Sequence, residues 1–424
     1  MISIHIYSPI KSPKLRYVFD FIFETYNDIE YTLHSDYVSF SIIEADVKIS
    51  YSDQVEFGMM NIPLSNFHND GSHPEFERDL KYENDLFNFD FISSIFCLLC
   101  RVEEYDNTDV DIHGRYKAPS SILYQKELLD FPVIDYWIKS FIDTLSNQHT
   151  LKIESTQKFS IVSTVDIDHI YAYKAKPIGT QIGSFFKDLL TFNFTRIKDR
   201  FTQQDPYDTY EYIDQCHHSN GLEIKYFILC SDKTKYDRSL PYDNNAFRQV
   251  VTGLHSRGSI GIHPSYYSLH DKDLINDQKR NLDKVINGSI NTSRQHYLRM
   301  QLPQTYEYLN QCDIHHDYTM GYAHNLGFRS GTTRSYKWYD VTADRVTSLT
   351  IHPFSLMDVT LRRVSDNDPI RAIEIAKELI DTIISVDGVF CLIWHNSSFY
   401  STEGWNGWDK VYEEILSYTK SCLA

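Results

Sequence analysis

The chain has 424 residues, room for two domains of ordinary size, which excludes a disulfide-stapled miniprotein. Hydrophobic residues make up 42% and charged residues 23%, excluding a disordered chain and a fibrous repeat. A formal charge of −17, from 41 Lys+Arg against 58 Asp+Glu, argues against nucleic acid as a partner, because a phosphate backbone needs a basic face.

The opening segment, MISIHIYSPIKSP, alternates like a strand and lacks the basic head and apolar run of a secretion signal. No segment reaches the ~18–20 apolar residues of a membrane span. Seven scattered cysteines fit reduced thiols, so the expected location is cytoplasmic. The runs ISIHIY, YTLHSDYVSFSII and ADVKISYS read as strands, and helix-like sequence follows from about Asp90. Residues 1–155 are therefore expected to form a smaller α+β domain, closed by the polar stretch Ser146 to Lys158. Within it FISSIFCLLC, which carries Cys97 and Cys100 as a CxxC, reads as buried helix because both flanks are apolar. RVEEY at Arg101 to Tyr105, with HGRY at His113 to Tyr116, reads as an internal ion-pair network. No site is assigned to this unit.

From residue 156 the pattern changes to apolar runs separated by helix-length stretches. Strands are expected at 159–166, 224–230, 259–263, 318–323, 348–352 and 389–395. Helices are expected between them, one opened by an Asp208 to Glu211 capping box. Alternating strands and helices mean βα units and a parallel sheet, open or closed into a barrel. An insertion at 174–204 mixes Lys and Arg with Phe, Leu and Ile, and reads either as a lid beside the site or as a contact with a membrane surface.

In parallel α/β folds ligands bind at the carboxyl ends of the strands. Four of the six expected strands end in chemistry: Asp166-Ile167-Asp168-His169, His263, His352, and Trp394-His395-Asn396. On extended backbone Asp166 and Asp168 point the same way, and two carboxylates that close need a cation or a shared proton. His263 supplies an imidazole of the kind zinc and similar metals accept.

TVDID (164–168), GIHPS (261–265), GFRSG (327–331), HPFSLMD (352–358) and LIWH (392–395) resemble, in order and at suitable separations, the five motifs of the polysaccharide deacetylases, carbohydrate esterase family 4. The likeness is to a divergent two-domain branch in which an N-terminal domain precedes the deacetylase-like one. The resemblance implies that residues 156–424 form a distorted (β/α) barrel with fewer than eight strands. The implied activity is metal-assisted removal of an N- or O-acetyl group from a glycan or glycan precursor. Asp166 would be the base, Asp168 and His263 metal ligands, Arg329 the arginine holding the base, Asp358 the carboxylate orienting the last histidine, and His395 the general acid. The implied cofactor is a divalent metal, zinc first. Trp394 offers an aromatic face to a sugar, or fills the core.

One position departs from the family pattern. The second metal histidine should stand four residues after His263, where this chain has Tyr267, and the next histidine is His270. His169, His352 or water would have to complete the ligand set. Two other readings stay open: a metal-independent glycoside hydrolase, which needs two carboxyls ~5–9.5 Å apart, and a catalytically silent glycan-binding or assembly protein on the same barrel.

Overall fold

The computed structural model describes residues 1–54, 58–65, 88–106, 109–176, 178–192, 194–201, 204–400 and 404–423. Strand β1 (Ile2–Tyr7) buries Ile4 and Ile6 and lies inside a four-stranded sheet with β2 (Ile29–His34), β3 (Val47–Ser52) and β4 (Met60–Pro63), in the order β2-β1-β3-β4. All three pairings are parallel, so each needs a crossover. The first crossover carries helix Pro13–Phe23, capped by Ser12, which accepts from the Lys14 amide at 3.2 Å, and started by a proline. Leu15, Val18, Phe19 and Ile22 recur at helical spacing and enter the core. The alternating run around Tyr31 to Ile43, expected as one strand, is divided. Asp36 accepts from the Ser39 amide at 2.9 Å and opens helix Tyr37–Ser41.

Helix Phe91–Cys100 is buried at every position, as an unbroken apolar run requires. Cys97 and Cys100 are free thiols within it, and burial pushes both thiol pKa values up, away from thiolate chemistry. Beyond the helix, Arg101 Nε donates to Glu104 Oε1 at 2.7 Å.

The second sheet holds nine strands: β5 (Ser160–Ile167), β6 (Ile224–Ile228), β7 (Ser259–Ile262), β8 (Thr292–Ser293), β9 (His316–Asp317), β10 (Tyr336–Asp340), β11 (Arg345–Ile351), β12 (Leu356–Met357) and β13 (Val389–His395). Their order is β10-β11-β9-β8-β7-β6-β5-β13-β12. Only the β10–β11 pair is antiparallel. The sheet curls into a half-barrel with two open ends, which is the mixed α/β, distorted-barrel class expected from the sequence. Its count of nine reflects three two-residue strands and the antiparallel edge strand. Helices Tyr210–Asn220, Asn245–His255, Lys272–Ile286 and Pro369–Ile384 lie in the crossovers.

Two local expectations fail for identifiable reasons. The run at 318–323 is loop, because the Asp317 carboxylate accepts from the Thr319 amide at 3.0 Å and turns the chain as β9 ends. The Asp208 to Glu211 box does not form. Thr209 is the N-cap instead, and its hydroxyl donates to the Asn396 carbonyl at 2.9 Å, tying the helix start to the end of β13.

Gly327, at φ +105, brings its loop against the backbone of Leu129. The Phe328 amide donates to the Leu129 carbonyl at 2.7 Å, and a Cβ on Gly327 would stand 2.2 Å from that same oxygen. Gly327→Ala is therefore expected to cost about 2 kcal/mol or more, read as a lowered unfolding midpoint. No helix among the described residues is long and apolar enough to cross a membrane.

Candidate active site

Adjacent parallel strands bring the polar residues together at their carboxyl ends. Asp166 lies near the end of β5, directly opposite His395 at the end of β13. Asp168 follows two residues on. His263 is the first residue past β7, its amide donating to the Ile228 carbonyl at 3.0 Å. The segment Arg294-Gln295-His296 leaves the end of β8, its first amide donating to the Ile262 carbonyl at 3.0 Å.

Asp168, His263 and His296 place one ligand atom each within 4.8 Å of one another. The Nε2 atoms of His263 and His296 stand 3.3 and 3.5 Å from Asp168 Oδ1. That oxygen is buried and accepts no aligned hydrogen bond, an orphaned acceptor between two imidazoles. The other ring nitrogens are occupied. His263 Nδ1 donates to the Arg294 carbonyl at 2.6 Å, and His296 Nδ1 donates to the Asp237 carboxylate at 2.8 Å. Both imidazoles thus turn Nε2 toward Asp168, an arrangement typical of metal-ligating histidine. Two imidazoles and one carboxylate fit a divalent cation with a coordination position left for water or substrate. Burial opposes the charged form of Asp168, yet His296 and His263 outweigh it and hold the carboxyl well below its ordinary range. Burial lowers His296, while Asp168 and Asp237 raise it further, to about 9.

Asp166 is buried beside this cluster. Its Oδ1 accepts from Arg294 Nη1 at 2.7 Å, and its Oδ2 lies 3.9 Å from His263 Nε2. Arg294 is itself fixed: it donates to Thr164 Oγ1 at 2.7 Å and to the Tyr318 carbonyl at 3.0 Å, and stacks on Phe227 at 4.4 Å. His395 stands across from Asp166, its Nδ1 donating to Asp358 Oδ1 at 2.8 Å and its amide to Asp358 Oδ2 at 2.8 Å.

Burial lowers the His395 pKa, but Asp358, then Asp168 and Asp166, overcome it and raise it to about 10. Protonated His395 therefore contributes stability that is complete below its ordinary 6.5 and lost as pH rises through about 10. Asp358→Asn is expected to bring this imidazole back toward its ordinary range. A two-dimensional NMR titration of the histidine side chains would follow it.

Several sequence assignments need correction. The arginine on Asp166 is Arg294. Arg329 instead donates through Nε to Glu104 Oε1 at 3.0 Å, with a second bond to Oε2, and through Nη1 to the Gly321 carbonyl at 3.0 Å. Tyr267 sits on a short 3-10 turn, Tyr266–His270, that points it outward, and His270 pairs with Gln304 at the surface. His352 is bonded to His316 at 3.0 Å and Ser335 at 2.7 Å and stacks on Tyr318, so it does not join the cluster. His169 turns Nδ1 to the Arg238 carbonyl. Trp394 points to the opposite face of β13 from His395 and is wholly buried against Tyr412 and Trp408, so it presents no face to a sugar. The aromatic surface beside the cluster comes from Tyr236, Tyr266 and Tyr297, the last 4.7 Å from the His296 ring.

Sequence reasoning missed Arg294, His296 and Asp237. The signal was SRQH, in which Arg294 and His296 stand two apart after a strand, as Asp166 and Asp168 do. That strand has two residues, too few to show any periodicity.

A family model of unknown function, DUF7033, matches residues 4–150, less than half of the chain. A comparison with curated proteins finds no match. Among solved structures, the chain is similar to a protein assigned as a polysaccharide deacetylase from Mycobacterium smegmatis (TM-score 0.40, 15% identity, 64% of this chain and 86% of that one). It is also similar to an allantoinase (0.39, 11%, 62% and 85%) and to a probable polysaccharide deacetylase from Pseudomonas aeruginosa PAO1 (0.40, 11%, 62% and 86%).

Proposed function

We propose that the protein hydrolyses an N- or O-acetyl group on a glycan or glycan precursor, with a divalent metal held by Asp168, His263 and His296. The observation that carries this reading is the convergence of three ligand atoms within 4.8 Å, flanked by Asp166 and His395. A bound divalent cation would polarise the acetyl carbonyl and an attacking water. Asp166, its Oδ1 fixed by Arg294, has Oδ2 on the ligand side and accepts the proton of that water. His395, bonded to Asp358 through Nδ1, carries a second proton on Nε2, which it donates to the leaving amine or alcohol. Arg294 and Asp358 act by positioning. The order of TVDID, GIHPS, HPFSLMD and LIWH along the chain points the same way.

The glycoside hydrolase reading is weaker. A glycosidase needs one carboxyl kept protonated as the acid, whereas Asp166 faces Arg294 and Asp168 faces His263 and His296, with no apolar pocket around either among the described residues. The test is acetate release from a panel of N- and O-acetylated sugars, with zinc, manganese or cobalt supplied. Release is expected to vanish with chelator and with Asp166→Ala. Release of reducing sugar that chelator does not touch would favour the glycosidase.

A further inference from the structure

A cavity of about 540 Å³ has in its wall His169, the neighbour of Asp168. Its wall carries seven lysines and arginines, among them Lys176, Arg200, Lys233 and Arg238, against two carboxylates, Asp188 and Asp232. In a chain of net charge −17 such a surplus is local and attracts anions. Asp188 is already taken by Arg200. Lys176 is half-buried, and burial pulls its pKa down to about 8, with Arg238, Arg200 and Lys233 acting in the same direction against Asp205.

One wall of this cavity is helix Ile178–Leu190, whose other side is apolar and faces outward. Ile182, Phe186, Leu189 and Leu190 recur at helical spacing and are 44% or more exposed, followed by Phe192, Phe194 and Phe201 at 64% or more. These twenty positions, 182–201, hold seven of the eighteen exposed large hydrophobic residues among the described ones, so the patch is concentrated. Lys198 is exposed within it, and Lys187 and Arg196, which also line the cavity, flank it, the composition of a surface that rests on anionic lipid.

Building on the deacetylase reading, we propose that the substrate is a lipid-borne sugar phosphate. Its phosphate or pyrophosphate lies in the basic cavity, its acetyl group reaches the Asp168, His263 and His296 cluster, and residues 182–192 and 194–201 rest on an anionic bilayer. The cavity then selects anionic sugars, and the apolar face explains how a lipid-anchored substrate is met without leaving the membrane.

Two binding measurements on the full chain test this without turnover. The first is calorimetric binding of inorganic pyrophosphate, with EDTA present so that no cation at the catalytic cluster takes part. Lys233→Glu with Arg238→Glu, both exposed positions, is expected to weaken binding ~10-fold or more. Absent binding, or binding the double variant leaves unchanged, overturns the cavity assignment. The second is sedimentation with phosphatidylcholine vesicles containing about one-third phosphatidylglycerol. The protein is expected to co-sediment, and Phe186→Glu with Leu190→Glu to lose that ~10-fold. Pyrophosphate binding without vesicle binding would assign a soluble sugar phosphate and overturn the lipid-borne part. A dimer dissolved by the same Glu substitutions would show a second copy covering the face, with the same consequence. A protein that binds both probes yet releases no acetate from any substrate refutes the deacetylase reading alone.

Discussion

His296→Ala is expected to lower divalent-metal affinity and acetate release together, each by about 100-fold or more. Removing the ring leaves Asp168 and His263, one ligand short of the three that a catalytic cation usually takes from protein. The fold should survive. Asp237, which accepts from His296 Nδ1, still accepts from the Tyr266 amide at 2.8 Å and from the Thr234 hydroxyl at 2.7 Å, so the stability loss should stay near 1–2 kcal/mol. Metal content by atomic emission, rate by acetate detection and melting by circular dichroism separate the three quantities. Tyr267→Ala is the companion. It occupies the position where the family pattern expects the ligand, yet it points outward, and metal content should be unchanged.

Arg329→Met is expected to act on stability rather than on chemistry. Glu104 is buried and shared by two arginines, Arg101 at 2.7 Å and Arg329 at 3.0 Å, with a further short bond to Arg329. Burial pushes the Glu104 pKa up, but Arg329 and Arg101 outweigh it and keep the carboxyl below its ordinary range. Removing Arg329 strips one partner from a buried ion and one donor from the Gly321 carbonyl, a change that costs about 3–5 kcal/mol. Urea unfolding should show that loss, while the protein that remains folded binds metal normally. A double-mutant cycle with Glu104→Gln should show strong coupling. A fall in turnover with no loss of stability would instead place Arg329 against the base. The same ion pair ties together residues 225 positions apart in the chain.

What the sequence made legible follows from length and periodicity. β5 and β13, eight and seven residues long, announce themselves, and with them the adjacent Asp166 and His395. The two-residue β8 carries no periodic signal, so the residues it launches, Arg294 and His296, had no strand to be attached to. Motif spacing then pointed to the wrong arginine and to an absent histidine. In each case the charge requirement was read correctly and its supplier was not: Asp166 needs a cation and Asp168 a second imidazole, and both come from one segment 128 residues away in the chain. Trp394 misleads for a simpler reason. Neighbours in a strand face opposite ways, so sitting beside His395 puts its ring in the core.

The most direct measurement is a crystal structure of the protein soaked with zinc, with anomalous diffraction recorded at the zinc edge. One strong peak is expected, bonded to Asp168, His263 and His296 at about 2.0–2.2 Å. A peak that omits His296, or no peak among these residues at saturating zinc, would contradict the proposed metal centre.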